Sequence, residues 1–247
     1  MLRIRGTLIA APVFALLALS PAAGEAEPVA RLAWNDCGAA GVVTRAFACN
    51  TNAGGEQLVV SFVPPDAPAF TGMEARLRFW PPAGSLPPWW AMSAGGCRSG
   101  SLRAAPFPPA SSPCTNPWTS AVFYTVDLNP STQELRVVVD LNKGEEHPLD
   151  SALEYYGVRI MIGHAKSAGA GACDGCAAPV GIYLSRLMLL LGPDPNFEFP
   201  LTVIPYVNWQ CDGSPVVSQG QVTGWSFPNC ATATEGVTWG RIKALFR

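Results

Sequence analysis

The sequence predicts an all-β protein, a two-sheet antiparallel sandwich of jelly-roll type with disulfide-stapled loops, on three observations. Apolar residues alternate with polar ones in several short runs, as in strands that turn one face to a core. Gly and Pro number 24 each, and chain breakers at that density between short runs favour strands and turns over helices. Eight cysteines follow what reads as a secretion leader, which suits a chain cross-linked in an oxidising compartment. A barrel is the alternative architecture.

The elements follow in chain order. Arg3 and Arg5 precede an apolar run over residues 8–19 and the small residues Ser20, Pro21, Ala22, Ala23 and Gly24, the order of a secretory signal. Residues 1–24 are therefore read as a signal peptide and 25–247 as one domain. The run is short of the ~20 apolar residues of a spanning helix. The closest later stretch, 180–191, is interrupted by Ser185 and Arg186, so no membrane span is expected after cleavage.

Residues 25–56 read as irregular lead-in. Leu58, Val60 and Phe62 then alternate in a strand stopped by Pro64 and Pro65. In the next, Met73, Ala75, Leu77 and Phe79 face one way and Glu74, Arg76, Arg78 and Trp80 the other, a half-buried pattern. Residues 81–117 are broken by prolines and read as a stapled excursion with one short strand near Trp89 and Met92. Val122, Tyr124, Val126 and Leu128 are answered across the turn Asn129-Pro130-Ser131-Thr132 by Leu135, Val137, Val139 and Leu141, a hairpin. In residues 152–164, Glu154, Tyr156, Val158, Ile160, Ile162 and His164 share a face opposite Tyr155, Arg159 and Met161. Residues 180–191 are apolar at both parities, which predicts a central strand buried on two sides. Two further strand-like pieces, 201–210 and 216–226, precede a tail that closes on one or two amphipathic turns around Trp239 and Phe246.

Eight cysteines permit 105 pairings. Proximity favours Cys37/Cys49, Cys97/Cys114, Cys173/Cys176 and Cys211/Cys230, each closing its own loop. Cys173-Asp174-Gly175-Cys176 also has zinc-knuckle or redox spacing, but His164 stands alone near it and the setting is a Gly/Ala loop rather than a helix start. A structural disulfide is the reading adopted.

The stretches Trp34-Asn35-Asp36-Cys37-Gly38, Phe47-Ala48-Cys49-Asn50-Thr51-Asn52-Ala53-Gly54, Pro87-Pro88-Trp89-Trp90 and Thr238-Trp239-Gly240-x-x-Lys243-x-Leu245-Phe246-Arg247 resemble those of a family of exported, cysteine-bearing bacterial proteins without an assigned activity. The resemblance covers most of the mature chain and implies export and one intact domain. It transfers no catalytic or binding residue.

Charge excludes some partners. Sixteen basic residues face eighteen acidic ones, and losing Arg3 and Arg5 with the leader makes the net charge of −2 more negative by two. Lysine occurs only at Lys143, Lys166 and Lys243, and the remaining cations are scattered. Phosphate binding needs them clustered, so nucleic acid is not an expected partner.

Histidine catalysis would have to use His147, in an acidic loop, or His164, at a strand end. Neither carries the signature of a positioned third group. Glu74, Glu154 and Asp140 on strands could hydrolyse a glycosidic bond if two of them faced each other about 5 to 9.5 Å apart. Asp36, Asn50, Asn52 or Asp212 could gather around calcium, but the spacing of a calcium loop is absent and turn formation accounts for them. No metal or cofactor is expected. Trp80, Trp89, Trp90 and Trp118 lie in or beside the proline-rich excursion and are the candidate ligand-binding residues, because an exposed indole can stack on a sugar or a partner surface. Packing of those loops outweighs ligand contact as their expected role, since Trp is highly buried on average.

The expectation is an exported, non-enzymatic recognition or adhesion module, extracellular or at the cell surface, for a glycan or a surface protein. A structural subunit of an external assembly, through self-association of the apolar tail, and a carboxylate-dependent secreted glycoside hydrolase are the alternatives.

Overall fold

A computed structural model describes residues 27–119, 122–228 and 230. The leader and the C-terminal stretch with Trp239 and Phe246, on which the signal-peptide and tail expectations rest, lie outside the described residues. The predicted class holds. Strands β1 (Val29–Trp34), β2 (Thr44–Arg45), β3 (Gly55–Val63), β4 (Ala67–Trp80), β5 (Leu102–Ala105), β6 (Val122–Asn129) and β7 (Glu134–Leu141) form the first half. β8 (His147–Leu149), β9 (Tyr155–Gly163), β10 (Val180–Leu191), β11 (Phe197–Glu198), β12 (Tyr206–Trp209), β13 (Ser214–Ser218) and β14 (Gln221–Ser226) form the second.

A small sheet runs β1-β3-β9-β5 and a large one β2-β12-β10-β4-β7-β6, with β8 on β4 and β11 on β10. Pairing is antiparallel except where β2 joins β12. The chain passes between the sheets at β1 to β2, β2 to β3, β3 to β4, β4 to β5, β5 to β6, β8 to β9 and β9 to β10, so the inward faces close on one continuous core.

That core uses the alternations read from sequence. Met73, Ala75, Leu77 and Phe79 of β4 and Leu135, Val137, Val139 and Leu141 of β7 are all buried. The β6–β7 hairpin is in register from Val122 opposite Leu141 to Asn129 opposite Glu134.

Two bulges overturn face assignments made by simple alternation. In β9, Val158 pairs with Val60 and Tyr156 with Ser61, so Gly157 is the extra residue. Before it the phase reverses: Tyr155, not Tyr156, joins the core beside Phe62. Tyr156 lies on the opposite face under Cys37 and Cys114. In β10 the register skips from Leu184 to Arg186. Val180, Ile182 and Leu184 face the core before that point, and Leu187 and Leu189 after it. The apolar residues at both parities thus serve one buried face, and Tyr183, Arg186 and Met188 are only half-buried on the other. A bulge inserts one residue and switches the side on which every later residue points.

Other expectations change as well. The lead-in contains a regular strand, because β1 pairs with β3 along its whole length. Residues at Trp89 form a short 3-10 turn, Pro88–Trp90, rather than a strand, and the strand of the excursion is β5 instead. The pairs are Cys37–Cys114, Cys49–Cys176, Cys97–Cys173 and Cys211–Cys230. Only the last follows proximity. The first three cross-link segments separated by 76 to 127 residues: Cys37–Cys114 packs on Val59 and Tyr156 on the outer side of the small sheet, and the other two tie the 173–176 loop to the segments at Cys97 and Cys49. Cys173 and Cys176 therefore bind different partners.

Candidate functional site

The tryptophans nominated for ligand contact are mostly interior. Trp89, Trp90 and Trp118 are fully buried, and only Trp80 is partly exposed. Trp89 stacks on Trp209 at 4.9 Å between ring centroids, Trp90 meets both edge-on, and Trp34 leans on Trp209 from the other sheet. The indole nitrogens of Trp89, Trp118 and Trp209 donate to Ser167 Oγ and to the Gly157 and Cys176 carbonyls. These rings pack the loops and offer no face to solvent.

A buried arginine completes this block. The Arg98 guanidinium lies 3.5 Å from the centre of the Trp89 ring and donates to the carbonyls of Ala165, Trp89 and Gly163. Burial pulls its pKa down to about 10, which leaves it charged at neutral pH.

The two histidines differ in their partners. His164 is buried and stacked on Phe47, with Nδ1 bonded to the Ala53 carbonyl and Nε2 to Glu56. Glu56, on β3, also takes Arg45, so both ring nitrogens are already bonded, one to a loop carbonyl and one to a strand carboxylate, where the ring lines a cavity of about 510 Å³. His147 lies edge-on to Phe70, its Nδ1 buried without a partner, and burial lowers its pKa.

The carboxylates divide between sheets. Glu154 is beside the small sheet, accepting from Ser61 Oγ at 2.7 Å with Arg31 at 3.5 Å. Glu74 and Asp140 share the outer face of the large sheet, one rung apart, because Glu74 opposes Val138 and Asp140 opposes Gly72.

That face is the most organised charged surface among the described residues. Arg136 opposes Arg76, and Arg76 opposes Arg186, so three adjacent strands set three guanidiniums in one row. All three turn to Glu74. Arg136 donates to one oxygen, Arg76 to the other at 2.7 Å, and Arg186 stands 3.7 Å away. Arg186 also reaches Glu198 at 2.9 Å, and Arg78 reaches Glu134 at 3.3 Å. The bond from Arg136, then that from Arg76, holds the Glu74 carboxyl below its usual range against the opposing effect of burial. Asp140 has no such partner, and burial raises it. At the edge, Phe123 of β6 is 68% exposed across from Asp140. At the other end Tyr183 packs near Trp225 of the β13–β14 hairpin, whose ring lies on Gly181 where no side chain could fit.

The outward parity of Glu74, Arg76 and Arg78 is legible in the sequence. The convergence of Arg136 and Arg186 on Glu74 is not, because it requires the order β7-β4-β10.

No family model and no curated protein matches the chain. Among solved structures it is similar to the cohesin module of a family 33 glycoside hydrolase from Clostridium perfringens ATCC13124, at 8% identity and a TM-score of 0.37, over 73% of this chain and 96% of that one. A likeness at that level assigns neither residues nor ligands. No helix among the described residues is long and apolar enough to cross a membrane.

Proposed function

We propose that the chain is an exported β-sandwich that acts as an extracellular or cell-surface recognition or adhesion module through the outer face of its large sheet. The observation that carries this reading is the arginine row closed over one buried carboxylate. Such a row presents planar donors already held in place, so little side-chain freedom is lost on contact. Arginine, methionine and aromatics are enriched at interface centres and lysine is depleted, and Arg76, Arg136, Arg186, Met188, Tyr183 and Phe123 all lie on this face. Four disulfides suit an oxidising compartment. The motif resemblance to exported, cysteine-bearing bacterial proteins supports the same reading.

The test is a glycan array and a pull-down from surface extracts, run with the wild type and with Arg136→Ala and Phe123→Ala. The reading expects a ligand in one of the two, with retention falling about tenfold in each variant, a loss of ~1.4 kcal/mol. Silence of the wild type in both removes it.

One observation favours a second reading, carboxylate-dependent hydrolysis. Glu74 and Asp140 share a face and their carboxyls are pushed in opposite directions, as an acid and base pair requires. Activity on pooled polysaccharides that disappears in Asp140→Asn would establish it.

A further inference from the structure

We propose that the free edge of β1 is a second binding site, distinct from the sheet face, which takes an extended segment of a partner polypeptide by strand addition. The argument begins with hydrogen-bond parity. Trp34, the last residue of β1, exchanges both backbone bonds with Val42, donating at 2.8 Å and accepting at 3.0 Å. Trp34 therefore directs its N–H and C=O away from β3. In an antiparallel ladder without register shifts these directions alternate, and β1 pairs with β3 with no shift from Val29 to Trp34. Leu32 and Ala30 must then point their N–H and C=O outward like Trp34, while Val29, Arg31 and Ala33 serve β3.

Val42 supplies the first outer rung and nothing follows it. Two residues later the chain turns away, and β2 pairs with β12 instead. The outward groups of Leu32 and Ala30 have no hydrogen-bond partner among the described residues. They face a groove of about 450 Å³. Its opposite wall is the irregular segment 200–205, with the apolar side chains of Leu201, Val203, Ile204 and Pro205.

The chemistry defines the occupant. Donor and acceptor pairs repeating every second residue, about 6.8 Å apart, match an extended backbone. They match neither a helix, whose groups are internally bonded, nor a sugar. The apolar wall calls for apolar side chains at alternate positions of the guest. Val203 is 83% exposed, and Val29, Val42 and Val43, which flank the same edge, are exposed as well. Exposed valines gathered beside unpaired rungs are what natural edge strands otherwise avoid. Glu27, at the mouth of the groove, has no ion-pair partner among the described residues and favours a cationic residue at one end of the guest. The rung at Val42 makes the guest a continuation of a ladder the chain itself begins.

The experiment titrates the protein with a fluorescein-labelled octapeptide library that alternates valine or isoleucine with threonine, serine or lysine, and with the same library N-methylated at every second residue. Methylation keeps the side chains, removes the N–H donors along one edge of the extended peptide and places methyl groups where the rungs would form. Three protein forms are compared: wild type, Ala30→Pro and Arg136→Ala. Ala30→Pro deletes an outward N–H, and proline is tolerated on an edge strand where the N–H faces away from its neighbour, so thermal unfolding should be unchanged. The expected result is binding of the unmodified library to wild type and to Arg136→Ala, about tenfold weaker binding to Ala30→Pro, and none of the methylated library. Equal binding of both libraries, or an unaffected Ala30→Pro, overturns strand addition. Light scattering that shows a concentration-dependent dimer broken by Ala30→Pro, with no peptide bound, assigns the edge to a second copy and overturns the proposed partner. Because Arg136→Ala reports on the sheet face, failure at either surface is read separately.

Discussion

Glu74 shows how far a residue's surroundings can depart from what its parity predicts. It stands on the outward face of β4, yet it is only 5% exposed because the arginines of three strands lie across it. Its folded pKa is depressed, chiefly by the Arg136 bond. Its contribution to stability is therefore complete above the unfolded carboxylate value of ~4.3 and fades as pH falls through the lower folded value. Glu74→Gln removes the charge and leaves three guanidiniums facing one another. At pH 7 it should cost about 2 kcal/mol, reduced from the value for a fully buried pair because the arginines are partly exposed. Thermal unfolding of both proteins should show that gap shrinking below about pH 4. A gap independent of pH would mean the carboxylate is not what holds the row. Arg98 is the inward counterpart. It is indistinguishable in sequence from the surface arginines, but Trp89 and three carbonyls enclose it.

At the scale of elements, what could be read depended on whether a strand keeps one phase. The β6–β7 hairpin and the inner face of β4 were legible because alternation runs unbroken through them and one turn joins the hairpin. The faces of β9 and β10 were not, since one extra residue in each reverses parity partway. Gly157 at the β9 bulge is also a close-approach position. A Cβ there would come within 2.9 Å of Met73 Sδ and of the Val60 carbonyl, and its own carbonyl receives the Trp118 indole. Gly157→Ala should cost about 1–3 kcal/mol, the range for overpacking a core. Urea unfolding would check this, and a loss under ~0.5 kcal/mol, the level of an ordinary surface substitution, would show that the bulge has room. The irregular lead-in and the Trp89 strand failed for a different reason. β1 owes its order to pairing with β3, and a proline-rich stretch chooses between strand and turn by what it packs against.

For the whole molecule, the cross-links are the largest correction and the clearest test. Cys49–Cys176 joins positions 127 apart in sequence, and Cys211–Cys230 joins positions 19 apart. If restriction of the unfolded chain dominates, removing the first pair by double Cys→Ser replacement costs about 5 kcal/mol and removing the second about 3 kcal/mol. Chemical denaturation of the two variants should preserve that order, and peptide mapping without reduction should recover Cys37–Cys114, Cys49–Cys176 and Cys97–Cys173. A Cys173–Cys176 fragment would restore the local pairing and remove the link that ties the Cys49 loop to the end of the sandwich. Three of the four bonds join segments 76 to 127 residues apart that meet only through tertiary folding, which spacing along a chain does not encode.

Local order along the chain determined the β class, most strand positions, the hairpin and the outward parity of Glu74, Arg76 and Arg78. Each depends on residues within a few positions of one another. Cysteine partners, the convergence of Arg136 and Arg186 on Glu74, the burial of Trp89, Trp90 and Trp118, and the unpaired rungs of β1 were decided by tertiary structure alone. Those depend on which strands lie side by side and on where a bulge shifts the register, and both are settled by long-range packing rather than by periodicity.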